Sequence, residues 1–185
     1  MDQRRLAGLL VLCGLAACGG SDVHGPGVSC TQALPAQRVL QGTVTEVQDG
    51  DTLTLDGTHR VRLVGIDAPE LSQDYGGQSR SALRTLVEGH AVSIFYSETD
   101  RYGRLLGQVF ASGCTDVNLR QVQTGAAWFY RAYQCDVEPA QRRALDAAER
   151  LARAARHGLW ADPLPVAPWV FRNGTDPEVP VCAAS

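Results

Sequence analysis

Arg62-Leu63-Val64-Gly65-Ile66-Asp67-Ala68-Pro69-Glu70 is the stretch whose reading decides the fold. It opens as an apolar strand and ends in two carboxylates beside a proline. Arg62 and Ile66 share strand parity, and Asp67 follows at the strand end. Pro69 has a fixed φ and biases Ala68 toward an extended conformation, so Asp67 and Glu70 leave the strand on a stiff turn. An arginine inside an apolar strand is costly unless it is paired, and the nearby carboxylates are candidate partners. Taken alone, the stretch reads equally well as a buried salt bridge at a strand end.

Two further stretches repeat the pattern. Val47-Gln48-Asp49-Gly50-Asp51-Thr52-Leu53 places two acids around a glycine in an expected hairpin, since Asp-Gly is a strong turn signal. Asp100-Arg101-Tyr102-Gly103-Arg104 puts an arginine at a glycine turn between two strand-like runs. Two acidic turns and one basic turn, each leaving a strand, can meet at one end of a small barrel. Carboxylates there suit a hard cation, and arginines grip phosphate fork to fork. Alone, Asp49-Gly50-Asp51 is a hairpin turn and Arg104 a surface residue; the joint pattern carries the reading.

In order, spacing and chemistry, these strings resemble the staphylococcal nuclease (thermonuclease) family over roughly residues 39–160. The resemblance implies a calcium site made by Asp51, Asp67 and the backbone carbonyl of Ala68, with Asp49 at its edge. Ala68 stands where many members have threonine, a change that a backbone ligand tolerates. Glu70 matches the residue that acts as general base or orients the attacking water. Arg62 and Arg104 match the arginines that grip the scissile phosphate. Tyr102 matches a tyrosine beside the bound nucleotide, and Tyr130 and Tyr133 are both candidates for a second one. The family implies Ca²⁺-dependent hydrolysis of DNA and RNA to products ending in 3′-phosphate. Stacking on tyrosine is sequence-tolerant, so little sequence specificity is expected.

Met1 to Ala17 read as a lipoprotein-type signal peptide: Arg4 and Arg5, a short apolar run, then Leu15-Ala16-Ala17-Cys18. Cleavage before Cys18 would leave that cysteine acylated and the protein anchored to the bacterial envelope by lipid only; ordinary secretion is the alternative. A flexible Gly-, Ser- and Pro-rich tether over 18–37 would lead to a thermonuclease-like domain at 38–160 and a Pro-rich extension at 161–185. Strand patterns occupy 39–47, 52–55, 59–66, 91–96 and 105–110. Helical spacing covers 78–87, 117–124 and a stretch from Pro139 toward Gly158, with Leu145, Ala148, Leu151 or Ala152, and Ala155 on its apolar stripe. Five short strands and about three helices suit an α+β, five-stranded Greek-key OB barrel. Pro163, Pro165 and Pro168 predict an extended tail past Trp169.

Export would leave Cys30, Cys114, Cys135 and Cys182 in an oxidising compartment. Four cysteines allow three pairings; Cys114–Cys135 and Cys30–Cys182 are expected. Zinc is the competitor, but there is no CxxC and no histidine at ligand spacing. All 17 basic residues are arginine. Without Asp2, Arg4 and Arg5 the rest carries 15 arginines and 19 acids, a formal charge of −4. That disfavours a strong generic nucleic-acid-binding field, because such affinity comes mostly from cations. The other readings are a non-catalytic OB-fold nucleic-acid-binding lipoprotein and a structural envelope protein. Asp51, Arg62, Asp67, Glu70 and Arg104 together favour an enzyme over both, and a monomer is expected.

Overall fold

The computed structural model describes residues 37–182; the signal segment, Cys18, Cys30 and nearly all of the tether lie outside them. Strand β1 (Arg38–Val47) pairs with β2 (Thr52–Leu55), and β2 pairs with β3 (His59–Leu63), all antiparallel. The β1–β2 register shifts between Val44 and Glu46. That bulge, one extra residue, turns both Val44 and Val47 into the interior although three positions separate them. The long β5 (Ala91–Thr99) joins the free side of β1, and β6 (Leu105–Ala111) joins β5. A parallel pairing of β3 with β6, Arg62 opposite Leu106, closes the five strands into an OB-fold barrel. Gly107 sits at the closure, where a Cβ would come within 2.7 Å of Ile94.

The stretch 59–66 is not one strand, as its apolar run predicts. Gly65 has φ 76, a conformation open to glycine without strain, and the chain turns there. Ile66–Asp67 form a separate short strand, β4, which pairs with β8 (Trp128–Phe129), with Asp67 opposite Trp128. Buried Asn118 pins the turn. It donates to the carbonyls of Val64 and Gly107 at 2.9 and 3.1 Å and accepts from Val109 N–H at 3.0 Å.

Helix α1 (Gly76–Val87) begins two residues earlier than its apolar spacing predicts. Leu83 and Val87 of α1 enter the core, and Gly89 follows at φ 76. After β6, the two-residue β7 (Thr115–Asp116) leads into α2 (Val117–Gln123), capped by Asp116 accepting from Leu119 N–H at 2.9 Å. Helix α3 (Pro139–Ala154) starts on Pro139 and buries Leu145, Ala148 and Ala152, whereas Leu151 is exposed. Buried Glu149 accepts from Phe129 N–H at 3.1 Å and from Arg131 at 2.7 Å, tying α3 to β8.

The tail is helical, not extended, where it passes Trp169. Pro168 is the first residue of a short helix, α4 (Pro168–Asn173), because a proline at N1 needs no backbone partner. Trp169 packs edge-on against Trp128 at 5.4 Å, and Trp160 does so at 4.3 Å. This three-tryptophan cluster folds the tail back over the β4–β8 end of the barrel.

The expected cysteine pairings do not form. Cys135 is bonded to Cys182, which excludes both Cys114–Cys135 and Cys30–Cys182. The folded-back tail is the reason: Gln134 donates to the carbonyl of Pro180 at 2.7 Å, so the two cysteines arrive side by side. Cys114 is itself disulfide-bonded. Non-reducing peptide mapping should recover a 135–182 cross-link, and replacing both of these cysteines by serine should cost about 2–5 kcal/mol of stability by denaturant unfolding.

Candidate active site

The Gly65 turn, the β1–β2 hairpin and the β5–β6 hairpin open onto one cleft of about 750 Å³. Asp49, Asp51, Arg62, Asp67, Ala68, Glu70, Tyr102, Arg104, Tyr130 and Tyr133 all line it. Every catalytic, ligand and nucleotide-contact candidate read from the chain thus faces the same space.

Arg62 is the centre. Its Nε lies 3.1 Å from Asp51 Oδ1 and its Nη2 2.8 Å from Asp67 Oδ1. Its Nη1 donates to the carbonyls of Leu63 and Ile66 at 2.9 and 2.8 Å. The salt bridge that the sequence offered as an alternative therefore exists, inside the cleft. Asp51 is also held from the other side: Oδ2 accepts from Ala68 N–H at 2.6 Å, and Asp49 Oδ1 accepts from Asp51 N–H at 2.9 Å. Burial works against the charge of Arg62, but Asp51, Asp67 and Asp49 together raise its pKa above the usual value. Asp51 carries the strain of that crowding. Burial pushes its carboxyl up to about 8; Arg62 pulls the other way, and Asp49 and Asp67 add to the rise.

Arg104 stands across the cleft, its Nε 2.7 Å from Asp100 Oδ2. Asp100 also accepts from the backbone N–H groups of Tyr102 and Arg104, which shapes the turn. Despite some burial, those hydrogen bonds hold the Asp100 carboxyl below its ordinary range. Tyr102 is exposed, with the Arg101 and Arg104 guanidiniums 4.8 and 5.5 Å from its ring centre. On the opposite rim Tyr130 stacks on Trp169 at 5.1 Å, and exposed Tyr133 lies 5.1 Å from Tyr130. Tyr130 is committed to the tryptophan cluster, and Tyr133 presents the freer face.

The cleft also holds residues that the sequence reading did not assign to the site, Arg172 foremost. Arg172 of α4 reaches Asp67 Oδ2 and Glu70 Oε1, each at 2.7 Å. Desolvation lowers its pKa, yet hydrogen bonds to Asp67 and Glu70 raise it above the usual arginine value. Only the pattern of Pro168 opening a helical turn, with an arginine four residues on, could have flagged it.

Every polar side chain lining the cleft carries oxygen donors or arginine nitrogens, with no cysteine and no histidine. Such a set suits a hard cation. Among the described residues no three acids converge as a ready cage; Arg62 and Arg172 stand between them.

The sequence profile described as "Staphylococcal nuclease homologue" matches residues 60–162. This chain belongs to the staphylococcal nuclease family. A relative named "Uncharacterized endonuclease" from Escherichia coli O157:H7 is 42% identical over 137 residues, covering 72% of this chain and 86% of the relative. A "Micrococcal nuclease" from Shigella flexneri is 37% identical over 154 residues, covering 77% and 86%. This member of the staphylococcal nuclease family is an endonuclease, a hydrolase whose substrate is nucleic acid. The stretch matched to the family holds Arg62, Asp67, Glu70 and Arg104; Asp49 and Asp51 precede it and Arg172 follows it.

Asp51 gives the metal-free protein a pH dependence. Its carboxyl ordinarily titrates near 3.8 and is raised to about 8 in the fold, so the folded state holds the extra proton. Stability from this group is complete below the lower value and is lost as pH rises toward the upper one. In chelator, melting temperature should fall between about pH 4 and pH 8, and Asp51→Asn should flatten that fall. Parallel thermal-melt profiles of the two proteins check it.

Proposed function

We propose that this chain is a calcium-dependent nuclease that cleaves DNA and RNA with little sequence preference and leaves 3′-phosphate ends. The observation that carries it is the charge pattern of one cleft. Six acids (Asp49, Asp51, Asp67, Glu70, Asp100, Asp136) and four arginines (Arg62, Arg101, Arg104, Arg172) line it, so acids outnumber arginines even while Asp51 keeps its proton. Such a cleft repels phosphate until one divalent cation enters.

Asp51, Asp67 and the Ala68 carbonyl are the groups that would hold calcium, with Asp49 outside them. Calcium tolerates irregular oxygen sets completed by water, which supports it over Mg²⁺ in a site with no ready cage. When bound, the cation supplies charge neutralisation at the phosphate and a place for water. The remaining work falls to side chains. Arg62, fixed on four acceptors, presents a rigid guanidinium edge to a phosphate oxygen, and Arg104 approaches from the opposite hairpin. Together they offset the charge that builds on the phosphate oxygens. Glu70, about one-third exposed, accepts the proton of the attacking water or orients it. Tyr102 and Tyr133 offer flat faces to unpaired bases, and such stacking reads no base edge.

The test is cleavage of single-stranded DNA, duplex DNA and RNA by the purified chain with Ca²⁺, with Mg²⁺ and with excess chelator. Activity with Ca²⁺ and little with Mg²⁺ is expected; equal cleavage in chelator refutes the metal. Glu70→Gln should lower the rate at least about 100-fold with little loss of stability, because Arg172 keeps its bonds to Asp67. Near-normal turnover would remove Glu70 from the chemistry.

We also propose that the protein acts as a monomer outside the cytoplasm, anchored by lipid on Cys18 to the cell envelope. The Leu15-Ala16-Ala17-Cys18 string supports this, as does the structural disulfide Cys135–Cys182. Mass spectrometry of the mature N-terminus should find Cys18 acylated, and an unmodified start elsewhere would refute the anchor.

A further inference from the structure

Arg62 and Arg172 both bind Asp67, but they are held very differently. Arg62 is largely buried, and two of its four acceptors are backbone carbonyls. Arg172 has a side chain 36% exposed. Its contacts are to carboxylates alone: Asp67 Oδ2 at 2.7 Å, Asp67 Oδ1 at 3.3 Å and Glu70 Oε1 at 2.7 Å. Among the described residues it is the sole hydrogen-bond donor to Asp67 Oδ2 and to Glu70 Oε1. It therefore occupies the oxygens that a cation at this end of the cleft needs.

The backbone beneath Arg172 is secured without that side chain. Trp169 stacks on Tyr130 and packs on Trp128, and its Nε1–H donates to Asp176 at 2.8 Å. Beyond it, the Cys135–Cys182 bond ties the strap to the Arg131–Asp136 turn that carries Tyr133. The guanidinium can leave on its flexible stem while α4 stays docked. Arg62 cannot leave without stranding the carbonyls of Leu63 and Ile66.

We propose that Arg172 is a built-in counter-cation. It holds Asp67 and Glu70 in the metal-free protein and competes with calcium for their oxygens, so that the tail sets the calcium concentration at which the site fills. This rests on the calcium reading above. Two effects follow from the same contacts. The metal-free cleft is relieved of carboxylate repulsion, and calcium affinity is lowered by the work of displacing the guanidinium.

The experiment is a calorimetric titration of Ca²⁺ into the full chain without nucleic acid, comparing the parent with Arg172→Gln. Competition predicts affinity about tenfold tighter in Arg172→Gln, within the usual range for coupled sites. In chelator the variant should melt at a lower temperature than the parent, and saturating Ca²⁺ should narrow that gap. A side chain that merely braces the site gives the opposite sign: its loss leaves calcium affinity equal or weaker, and either result overturns the proposal. Arg172→Lys keeps the charge without the two-pronged grip and should fall between the two proteins. If Arg172→Gln does not fold, the lysine variant decides, with equal or weaker affinity again overturning the proposal. Absence of calcium heat in both parent and variant would sink the calcium reading itself, and the proposal with it, whereas equal heat with equal affinity sinks the proposal alone.

Discussion

The guanidinium of Arg62 is the constraint on which the site depends. A buried cation without partners is one of the most costly things a fold can contain. Its partners come from two places far apart in the chain, Asp51 on the β1–β2 hairpin and Asp67 beyond the Gly65 turn. Satisfying one arginine therefore brings the two acidic turns together. The Ala68 N–H bond to Asp51 locks the same junction from the backbone side. Barrel closure completes it: β3 pairs with β6, Arg62 lies opposite Leu106, and the turn carrying Arg104 is delivered to the same end.

A fold that crowds carboxylates must offset their repulsion, and this one does so asymmetrically. Asp51 is shielded by burial and one arginine, at the expense of a raised pKa. Asp67 is bound by two arginines, and Glu70 at the exposed edge shares the second. The deep arginine is fixed by two carboxylates and two backbone carbonyls, whereas the shallow one is held by carboxylates alone. That gradient of burial lets one cluster hold crowded carboxylates together without a buried, unpaired charge.

The tail makes the shallow end possible. Three tryptophans, each with a large apolar surface, clamp residues 160–169 onto β8, and a disulfide fixes the end of the strap. The cluster also claims Tyr130 through Trp169, leaving Tyr133 as the more open of the two late tyrosines. The C-terminal stretch is therefore a wall of the cleft.

Most of the barrel and most of the cleft could be read from the chain alone, because the signals are local. Strand alternation, Asp-Gly turns and Pro139 at a helix start act within a few residues, and short polar strings carry Asp51, Arg62, Asp67, Glu70 and Arg104. Three things could not be read there. The break at Gly65 looks like continuous strand, because glycine is compatible with both conformations until Asn118 and β8 select one. The role of Arg172 depends on a tryptophan cluster assembled from residues some thirty to forty apart. The Cys135–Cys182 pairing follows from where that cluster returns the tail, and cysteine spacing contains no information about it. Local chemistry along the chain determined which residues could do the work; long-range burial decided which of them meet, because only a packed core brings together groups with no preference for one another along the sequence.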